Sequence, residues 1–456
     1  MTRPLACLIA PRHPMRRRLL AVSVASILCG GAHGAVITVN TASDVTAPGQ
    51  CSLRNAVTAA NLDGAVASCS PGSGADVIRF ALGITDIVLT DTVVGQLVVT
   101  APLTIDGGTT QVTVRRTSDN PLASRLIDVT QPVPLVLNRM TIRGGRTATG
   151  YGEGGGIRSV GEVTLTGSTV SGNTTTGGLS RGGGIRAERL TLIDSVVADN
   201  ETTSGGSGGG GISADHVLMV RSSVTGNTTG WGAAHGGGIA ATDLDMRHST
   251  VSGNSVTGPQ ANGGGISAGT ATITNSTVSG NSVTSGSGLG GGMSVDIAVI
   301  HNSTVTRNSI TFGAVVPVAG GGVHLGTAAP STIVSSIVSG NDGPPSAVNI
   351  GAVGGGSATI VGSHNLVGPV GGNVSLPGDT FTCEPNLLAL TDNGGPTRTH
   401  ALVTGSCAID QGSNPEGVAT DQRGSAFARE FGPAIDIGAF ELQPLGDILF
   451  IDGFGL

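Results

Sequence analysis

Apolar and polar residues alternate in short runs along most of the chain, and these runs recur at a fixed distance. In each unit two apolar side chains stand two positions apart, as at Leu190 and Leu192 or at Leu244 and Met246. This spacing places both side chains on one face of a β-strand. The pattern therefore predicts short strands that each bury one face.

An asparagine marks the repeat most clearly. It stands five positions after a Ser and three after a Val in every unit, and the first five intervals are 27 residues long while the last is 33. The members of the series are Asn173, Asn200, Asn227, Asn254, Asn281, Asn308 and Asn341. A triple glycine recurs in the same rhythm. A period of about 20–50 residues is typical of stacked units, so we predict a solenoid in which the asparagines form a ladder of hydrogen bonds.

The residue types favour a parallel β-helix over a helical or leucine-rich repeat. β-Branched Val, Ile and Thr, which suit pleated sheets, dominate the units, and a ladder of Leu is absent from the sequence. We therefore predict an all-β fold, a right-handed parallel β-helix with 27-residue coils and capped ends. Between each Asn and the next glycine run we expect a loop, and these loops should stack along one side.

Both ends of the chain depart from the repeat. Arg16–Arg18 precede an apolar run and small residues, as in an export signal, so we assign residues 1–34 to a signal peptide that is too short to span a membrane. In an exported chain the four cysteines beyond it predict one local disulfide near each end, with a zinc site as the alternative. They are Cys51, Cys69, Cys383 and Cys407. Ser52, followed by apolar residues at helical intervals, predicts an N-capped helix that closes the first coil.

Two segments resemble known families. Cys51–Val57 resembles the N-terminal motif of the CSLREA family of secreted bacterial proteins, although Asn55 and Val57 stand where Glu and Ile are usual. The repeats resemble those of polymorphic outer-membrane proteins. Asp421–Gly424 and Asp436–Glu441, with the motifs before them, are similar to the choice-of-anchor Q domain. The resemblance implies a secreted or cell-surface protein without a settled activity. We divide the mature chain into a cap at 35–76, a β-helix at 77–375, a C-terminal region at 376–441 and a tail at 442–456.

The chain is acidic and contains no lysine. Its formal net charge is −7, and five of its arginines belong to the signal peptide. An acidic surface disfavours nucleic acid and anionic membranes as partners. A phosphate-binding loop requires a Lys, and the glycine runs lack the Asp of calcium-binding repeats. We expect neither a cofactor nor a bound metal.

A polar column six residues before each Asn supplies the candidates for catalysis. Asp194, Arg221 and His248 stand there on consecutive coils, and we expect them to lie within reach of one another. A single carboxylate argues against a hydrolase that uses two. A solvated corner with weak ion pairs is the alternative interpretation. For the acids of the C-terminal motifs, such as Asp421, a buried structural ion pair is the alternative to a catalytic or calcium-binding role.

Three aromatic residues fall in the expected loop column. Tyr151, Trp231 and Phe312 lie 80 and 81 residues apart, about three coils each. Aromatic faces suit sugar rings, so we predict that they bind a ligand, with packing over their own loops as the alternative.

We therefore predict a monomeric structural or adhesive protein, exported to the extracellular space or the outer-membrane surface. It should bind a glycan or another cell-surface component. The alternative is a polysaccharide lyase or glycoside hydrolase on the same scaffold.

Overall fold

The computed structural model describes residues 34–45, 47–90, 95–116, 124–148, 152–203, 206, 208–312, 319–343, 348–353 and 356–443, except for the side chain of Phe312. Within these ranges the backbone winds as a parallel β-helix, and each central coil adds one strand to each of three sheets. The fold class expected from the repeat is confirmed. The predicted signal peptide, as far as residue 33, and the predicted tail beyond Gln443 lie outside the described residues.

The three sheets are numbered here in the order in which a coil visits them. The strands of sheet 1 are Val36–Val39, Asp76–Phe80, Leu97–Val99, Leu103–Asp106, Ile127–Val129, Leu135–Asn138, Ile157–Ser159, Glu162–Thr166, Ile185–Ile193, Ile212–Val220, Ile239–Arg247, Ile266–Thr274, Met293–His301, Val323–Leu325, Ser331–Val334, Ile350–Gly351, Ala358–Val361 and Val374–Ser375. Those of sheet 2 are Asp86–Val88, Val112–Arg115, Met140–Arg143, Thr169–Ser171, Val196–Ala198, Ser223–Thr225, Thr250–Ser252, Thr277–Ser279, Thr304–Thr306, Ile337–Val338 and Leu366–Val367. Those of sheet 3 are Arg146–Thr147, Thr174–Thr175, Glu201–Thr202, Thr228–Gly230, Ala233–His235, Ser255–Asn262, Ser282–Leu289 and Ser309–Phe312. An α-helix, Leu53–Leu62, precedes the coils, and an antiparallel pair, Leu387–Thr391 and Thr399–Leu402, follows them.

The core consists of the apolar columns seen in the sequence. Val217 and Met219 point inward and are buried, and their partners on the next coil are the buried Leu244 and Met246. Each residue thus pairs with its equivalent 27 positions later. Burying one such side chain contributes about 1.5–3 kcal/mol, and the contribution is repeated on every coil.

The asparagines stand at the corner between sheets 2 and 3, where all seven side chains are buried. The Asn227 side chain donates from Nδ2 to the Val197 carbonyl at 3.0 Å and to Oδ1 of Asn254 at 2.9 Å. The backbone N–H of Asn227 donates to the same Oδ1 at 2.9 Å. Each asparagine therefore satisfies polar groups of two coils at a corner that water does not reach.

Sheet 3 occupies part or all of the segments after each Asn in which we expected loops: Ser255–Asn262 and Ser282–Leu289 are strands throughout, whereas Thr174–Thr175 covers only the first two residues of its segment. In the strand Ser282–Leu289, Val283 is buried while Ser282 and Thr284 face outward. Thr202, Thr229, Val256 and Ile310 are the buried equivalents on other coils. The prediction of loops was wrong for Ser255–Asn262 and Ser282–Leu289, because pairing with the neighbouring coil defines the register and a strand forms without strict apolar alternation.

The helix Leu53–Leu62 covers the first coils, as expected. Ser52 caps it by accepting a hydrogen bond from the Asn55 N–H at 3.3 Å, and the buried side chains of its inner face join the core of the solenoid. The predicted disulfide between Cys51 and Cys69 ties its start to the following loop. The helix removes the apolar end of the stack from water and shields its unpaired strand edge.

We expected the C-terminal region to close the last coil. It also packs along one side of the solenoid. Val370, Val374 and Leu376 pack against the end of the core, but residues 387–442 fold back along the outer face of sheet 2. There Gln422 Nε2 donates to Thr250 Oγ1 at 2.9 Å, and Thr277 Oγ1 donates to Gln422 Oε1 at 2.6 Å. The second predicted disulfide, Cys383–Cys407, is also present and lies within this region.

Candidate functional site

The predicted catalytic column lies at the corner between sheets 1 and 2. Its residues adopt left-handed backbone angles, with φ of 49° at Asp194, 48° at Arg221 and 49° at His248. Arg221 forms a two-point ion pair with Asp194, with distances of 2.7 and 2.8 Å. Both side chains are more than 40% exposed, so this pair has the geometry of a solvated surface ion pair.

His248 interacts with the C-terminal region instead of joining that pair. Its Nδ1 lies 3.0 Å from the Asp421 carbonyl oxygen, so the N–H at this position donates. Burial lowers the pKa of His248 and outweighs the hydrogen bond to the Asp421 carbonyl, which raises it. The column is therefore divided: its first members face solvent, and from His248 onward it becomes part of an internal interface.

Among the predicted aromatic ligand-binding residues, the structure describes the side chain of Trp231. It is 74% exposed and follows the short strand Thr228–Gly230 of sheet 3. Tyr151 lies outside the described residues. Phe312 ends the strand Ser309–Phe312, but its side chain is not described. The exposure of Trp231 is against the alternative in which its ring packs over its own loop.

A cleft of about 300 Å³ opens at the corner between sheet 3 and sheet 1. Its charged and titratable lining residues are Arg181, Arg186, Asp215 and His235. Small residues form much of the remaining wall: Gly206, Gly208, Ser213, Ala214, Ala240 and Ala241. Because these side chains are short, the cleft stays open to a ligand that lies across several coils.

The strand geometry explains how these four residues meet. Arg181 and His235 occupy the same position of two coils, eight residues after Asn173 and Asn227. Backbone bridges connect them through Gly208. Arg186 and Asp215 enter from neighbouring strands of sheet 1. The sequence contains this signal as a column with period 27, but Gly208 interrupts the column, so it does not stand out as a row of reactive residues.

The cleft combines opposite charges with a neutral imidazole. Arg186 Nη2 and Asp215 Oδ1 are 3.2 Å apart, and Arg186 Nη1 also donates to the carbonyls of Ala187 and Ser213. The exposed side chain of Arg181 has no ion-pair partner within the described ranges. Burial lowers the pKa of His235, which keeps its ring neutral at pH 7. Its Nδ1 lies 3.4 Å from Asn262 Nδ2, a contact that leaves Nε2 available to a ligand.

A polar row continues from the cleft across sheet 1. Arg189, His216, Asp243 and Thr270 occupy one register position on four consecutive strands. His216 Nδ1 lies 2.9 Å from Asp243 Oδ2, and Thr270 Oγ1 donates to Asp243 Oδ1 at 2.6 Å. The cleft and this row together present donors and acceptors at the spacing of the coils.

The acids of the C-terminal motifs belong to a buried structural network. Asp421 and Arg423 form an ion pair at 2.7 Å with fully buried side chains. The Arg423 guanidinium lies between the rings of Phe427 and Phe440, 3.8 Å from each centroid. Glu441 accepts from the N–H groups of Phe431 and Asp436. No solvent reaches Asp421, so this geometry is that of the structural alternative.

Among the comparisons with known proteins, a match comes from the solved structures. No protein-family model matches the chain, and no curated protein matches its sequence. A solved structure described as the crystal structure of pectate lyase Pel9A is similar, with 12% sequence identity and a TM-score of 0.47, over 91% of this chain and 98% of that one. None of the helices in the described residues is long and apolar enough to cross a membrane. Groups of three or more metal-ligating side chains are likewise absent from these residues.

Proposed function

We propose that the protein binds an extended glycan, which lies in the cleft between sheets 3 and 1. The observation that carries this proposal is the meeting of Arg181, Arg186, Asp215 and His235 in one open cleft. Sugar hydroxyls both donate and accept hydrogen bonds, so guanidinium, carboxylate and imidazole groups bind them in complementary directions. A polysaccharide also repeats along its length, as the coils do.

Trp231 supports the same ligand class. Its ring is largely exposed and comes four residues before His235 of the cleft. Burying a tryptophan face against a sugar ring removes apolar area from water on both partners. Arg181 supplies a guanidinium that is free to pair with a uronate carboxylate or a sulfate, so acidic glycans suit the cleft best.

The biological setting that we propose is an exported, adhesive protein on a cell surface or in the extracellular space. The two disulfides agree with an oxidising compartment. The resemblance to the CSLREA and choice-of-anchor Q families favours the same setting. A regular solenoid displays the cleft on a rigid support, as an adhesive role requires.

A polysaccharide lyase is the second candidate, and one observation favours it. Elimination at a uronate needs a base for the proton beside the carboxylate and a cation that stabilises the resulting negative charge. His235, whose pKa is lowered by burial, is neutral, and its Nε2 acts as this base when the ring proton sits on Nδ1 and the Asn262 carboxamide turns its oxygen toward Nδ1. Arg181 and Arg186 are cations in the same cleft. A bound uronate would place these groups around one sugar.

A panel of neutral, uronate-containing and sulfated polysaccharides tests both functions with the full chain. We expect retention of an acidic glycan, a loss of at least about tenfold in affinity for Arg181→Ala, and a similar loss for Trp231→Ala. Arg221→Ala removes an exposed arginine at another corner and should bind like the wild type. Ultraviolet absorbance of an unsaturated product would identify the lyase, and its loss in His235→Ala would assign the base. Absence of retention on the whole panel would refute the glycan proposal.

A further inference from the structure

The outer face of sheet 3 carries two parallel rows of hydroxyl groups. The first row consists of Thr174, Glu201, Thr228, Ser255, Ser282 and Ser309. The second, two residues further along each coil, consists of Thr176, Thr203, Gly230, Thr257, Thr284 and Thr311. Ten of these twelve positions are Ser or Thr. The residue between the two rows points inward on every coil and is buried.

Backbone pairing holds this array in strict register. Ser255 pairs with Ser282 and Thr257 with Thr284, without a bulge between them. Within one row, equivalent residues on neighbouring strands are about 4.8 Å apart. The two rows stand two residues apart along each strand and are separated by about 6.6 Å. The hydroxyls and methyls therefore form a two-dimensional lattice with two defined repeats.

The side chains of the array are also preorganised. Thr is β-branched and has a restricted χ1. At one end of the array Thr176 Oγ1 donates to the Thr147 carbonyl at 3.1 Å, which fixes the orientation of its side chain. Thr257, Thr284 and Thr311 are exposed at the other end. A rigid array loses little conformational entropy when it binds.

A similar ladder on sheet 2 shows that such hydroxyls bind an ordered polar partner within this molecule. There Thr250, Thr277 and Ser279 are buried under the C-terminal region and bond to Gln422 and His400. On sheet 3 the described residues provide no such cover for Thr257, Thr284 and Thr311. The face is available to a partner from outside the chain.

We propose that this array is an ice-binding surface, and that its partner is the ordered water of an ice crystal. The hydroxyls, with methyls at the Thr positions, hold first-shell water in positions that repeat with the coils, and the strand-to-strand repeat of about 4.8 Å is close to the shorter repeat of the oxygens in hexagonal ice. Glu201 is the only charged side chain in the two rows, so an ionic ligand finds few partners there. Planar groups that bind sugars are also missing from the rows and lie in the cleft instead.

Ice partitioning and recrystallisation assays on the full chain test this proposal. We expect the wild type to enter slowly growing ice and to suppress recrystallisation. Thr284→Arg, which places a long cation within the array, should lose both effects. Thr272→Arg makes the same change on the outer face of sheet 1 and should keep them. Trp231→Ala should also keep them, whereas it weakens glycan binding, so this proposal and the glycan proposal fail separately.

Two results would overturn the inference. One is exclusion of the wild type from ice, as with an unrelated soluble protein. The other is equal behaviour of Thr284→Arg and Thr272→Arg. Retention on crystalline cellulose or chitin that Thr284→Arg abolishes, without any ice activity, would assign the array to a crystalline glycan instead. Thermal unfolding of each variant shows whether the solenoid is intact, and Thr257→Arg replaces Thr284→Arg if the latter unfolds.

Discussion

The side-chain Nδ2 of Asn254 lies 2.9 Å from Oδ1 of Asn281 on the next coil, and the backbone nitrogen of Asn254 lies 3.0 Å from the same atom. One carboxamide oxygen thus accepts both hydrogen bonds from the coil before it. Asn254 Nδ2 also donates to the Val224 carbonyl on the preceding coil at 3.0 Å. Asn254 therefore links its own coil to the preceding coil and to the following one.

We predict that Asn254→Ala strongly destabilises the solenoid. The substitution removes the acceptor of the Asn227 backbone N–H, one acceptor of the Asn227 side-chain amide and one donor to the Val224 carbonyl, and each buried group that loses its partner costs about 1–3 kcal/mol. The sum should exceed about 3 kcal/mol in urea unfolding. Arg221→Ala, at an exposed corner, is the control and should change stability by about 0.5 kcal/mol or less. Equal unfolding midpoints for both variants would contradict a structural role for the ladder.

Gly237→Ala should prevent the close approach of neighbouring coils. A Cβ at this position would lie 2.3 Å from the Gly264 carbonyl oxygen and 2.6 Å from that of Ser255. Both obstacles are backbone atoms, so the coils would have to move apart. Gly178→Ala is the matched control, because its Cβ would meet nothing within 4 Å. We expect a lower melting temperature for Gly237→Ala and an unchanged or slightly higher one for Gly178→Ala. Similar melting temperatures for the two variants would show that the coils can move apart at little cost.

The C-terminal region should lose stability as the pH rises toward 8. Burial, together with the negative charge of the neighbouring Asp436 carboxylate, raises the pKa of Glu441 from 4.5 to about 8, against the hydrogen bond from the Asp436 N–H and the positive charge of Arg429. The folded state therefore holds a proton that the unfolded state releases. The resulting stabilisation is complete below about pH 4.5 and disappears as the pH passes through about 8.

Glu441→Gln isolates this contribution because the amide does not titrate. The difference in urea midpoint between wild type and variant should change between about pH 5 and about pH 9, in the direction of a relatively weaker wild type at high pH. His248 and His400, which face the same interface, titrate in both proteins and cancel in the difference. A difference that stays constant over this range would show that Glu441 is ionised throughout.

The two disulfides should differ in their reaction with a reductant under native conditions. Cys51 and Cys69 are buried, whereas Cys383 is exposed. Thiolate attack requires access to sulfur, so mild reductant and alkylation should label Cys383 and Cys407 first. Mass spectrometry of the labelled peptides checks this order. Simultaneous labelling of all four cysteines would mean that the N-terminal cap opens readily.

Much of the fold was predictable because each coil of a solenoid packs only against the coils before and after it. The column containing Val217 and Leu244 is buried for the same reason on every coil, so one unit explains the others. The asparagine ladder, the Ser52 cap and both cysteine pairs follow from local spacing. Sheet 3 was missed because its inward residue changes type along the stack, from Thr202 and Thr229 to Val256 and Ile310, so that no single residue type marks the column.

The sequence by itself determined the period of the coils, the residues that face inward and the places where the chain leaves the repeat. Those features depend on contacts between a residue and its equivalent one coil away. The tertiary structure alone decided that Gln422 lies on Thr250 and that the Asp421 carbonyl meets His248, because these contacts join segments more than 150 residues apart without a repeated register. The same holds for the cleft, where Arg186, Asp215 and His235 meet only because three strands and a corner bring their side chains to one opening.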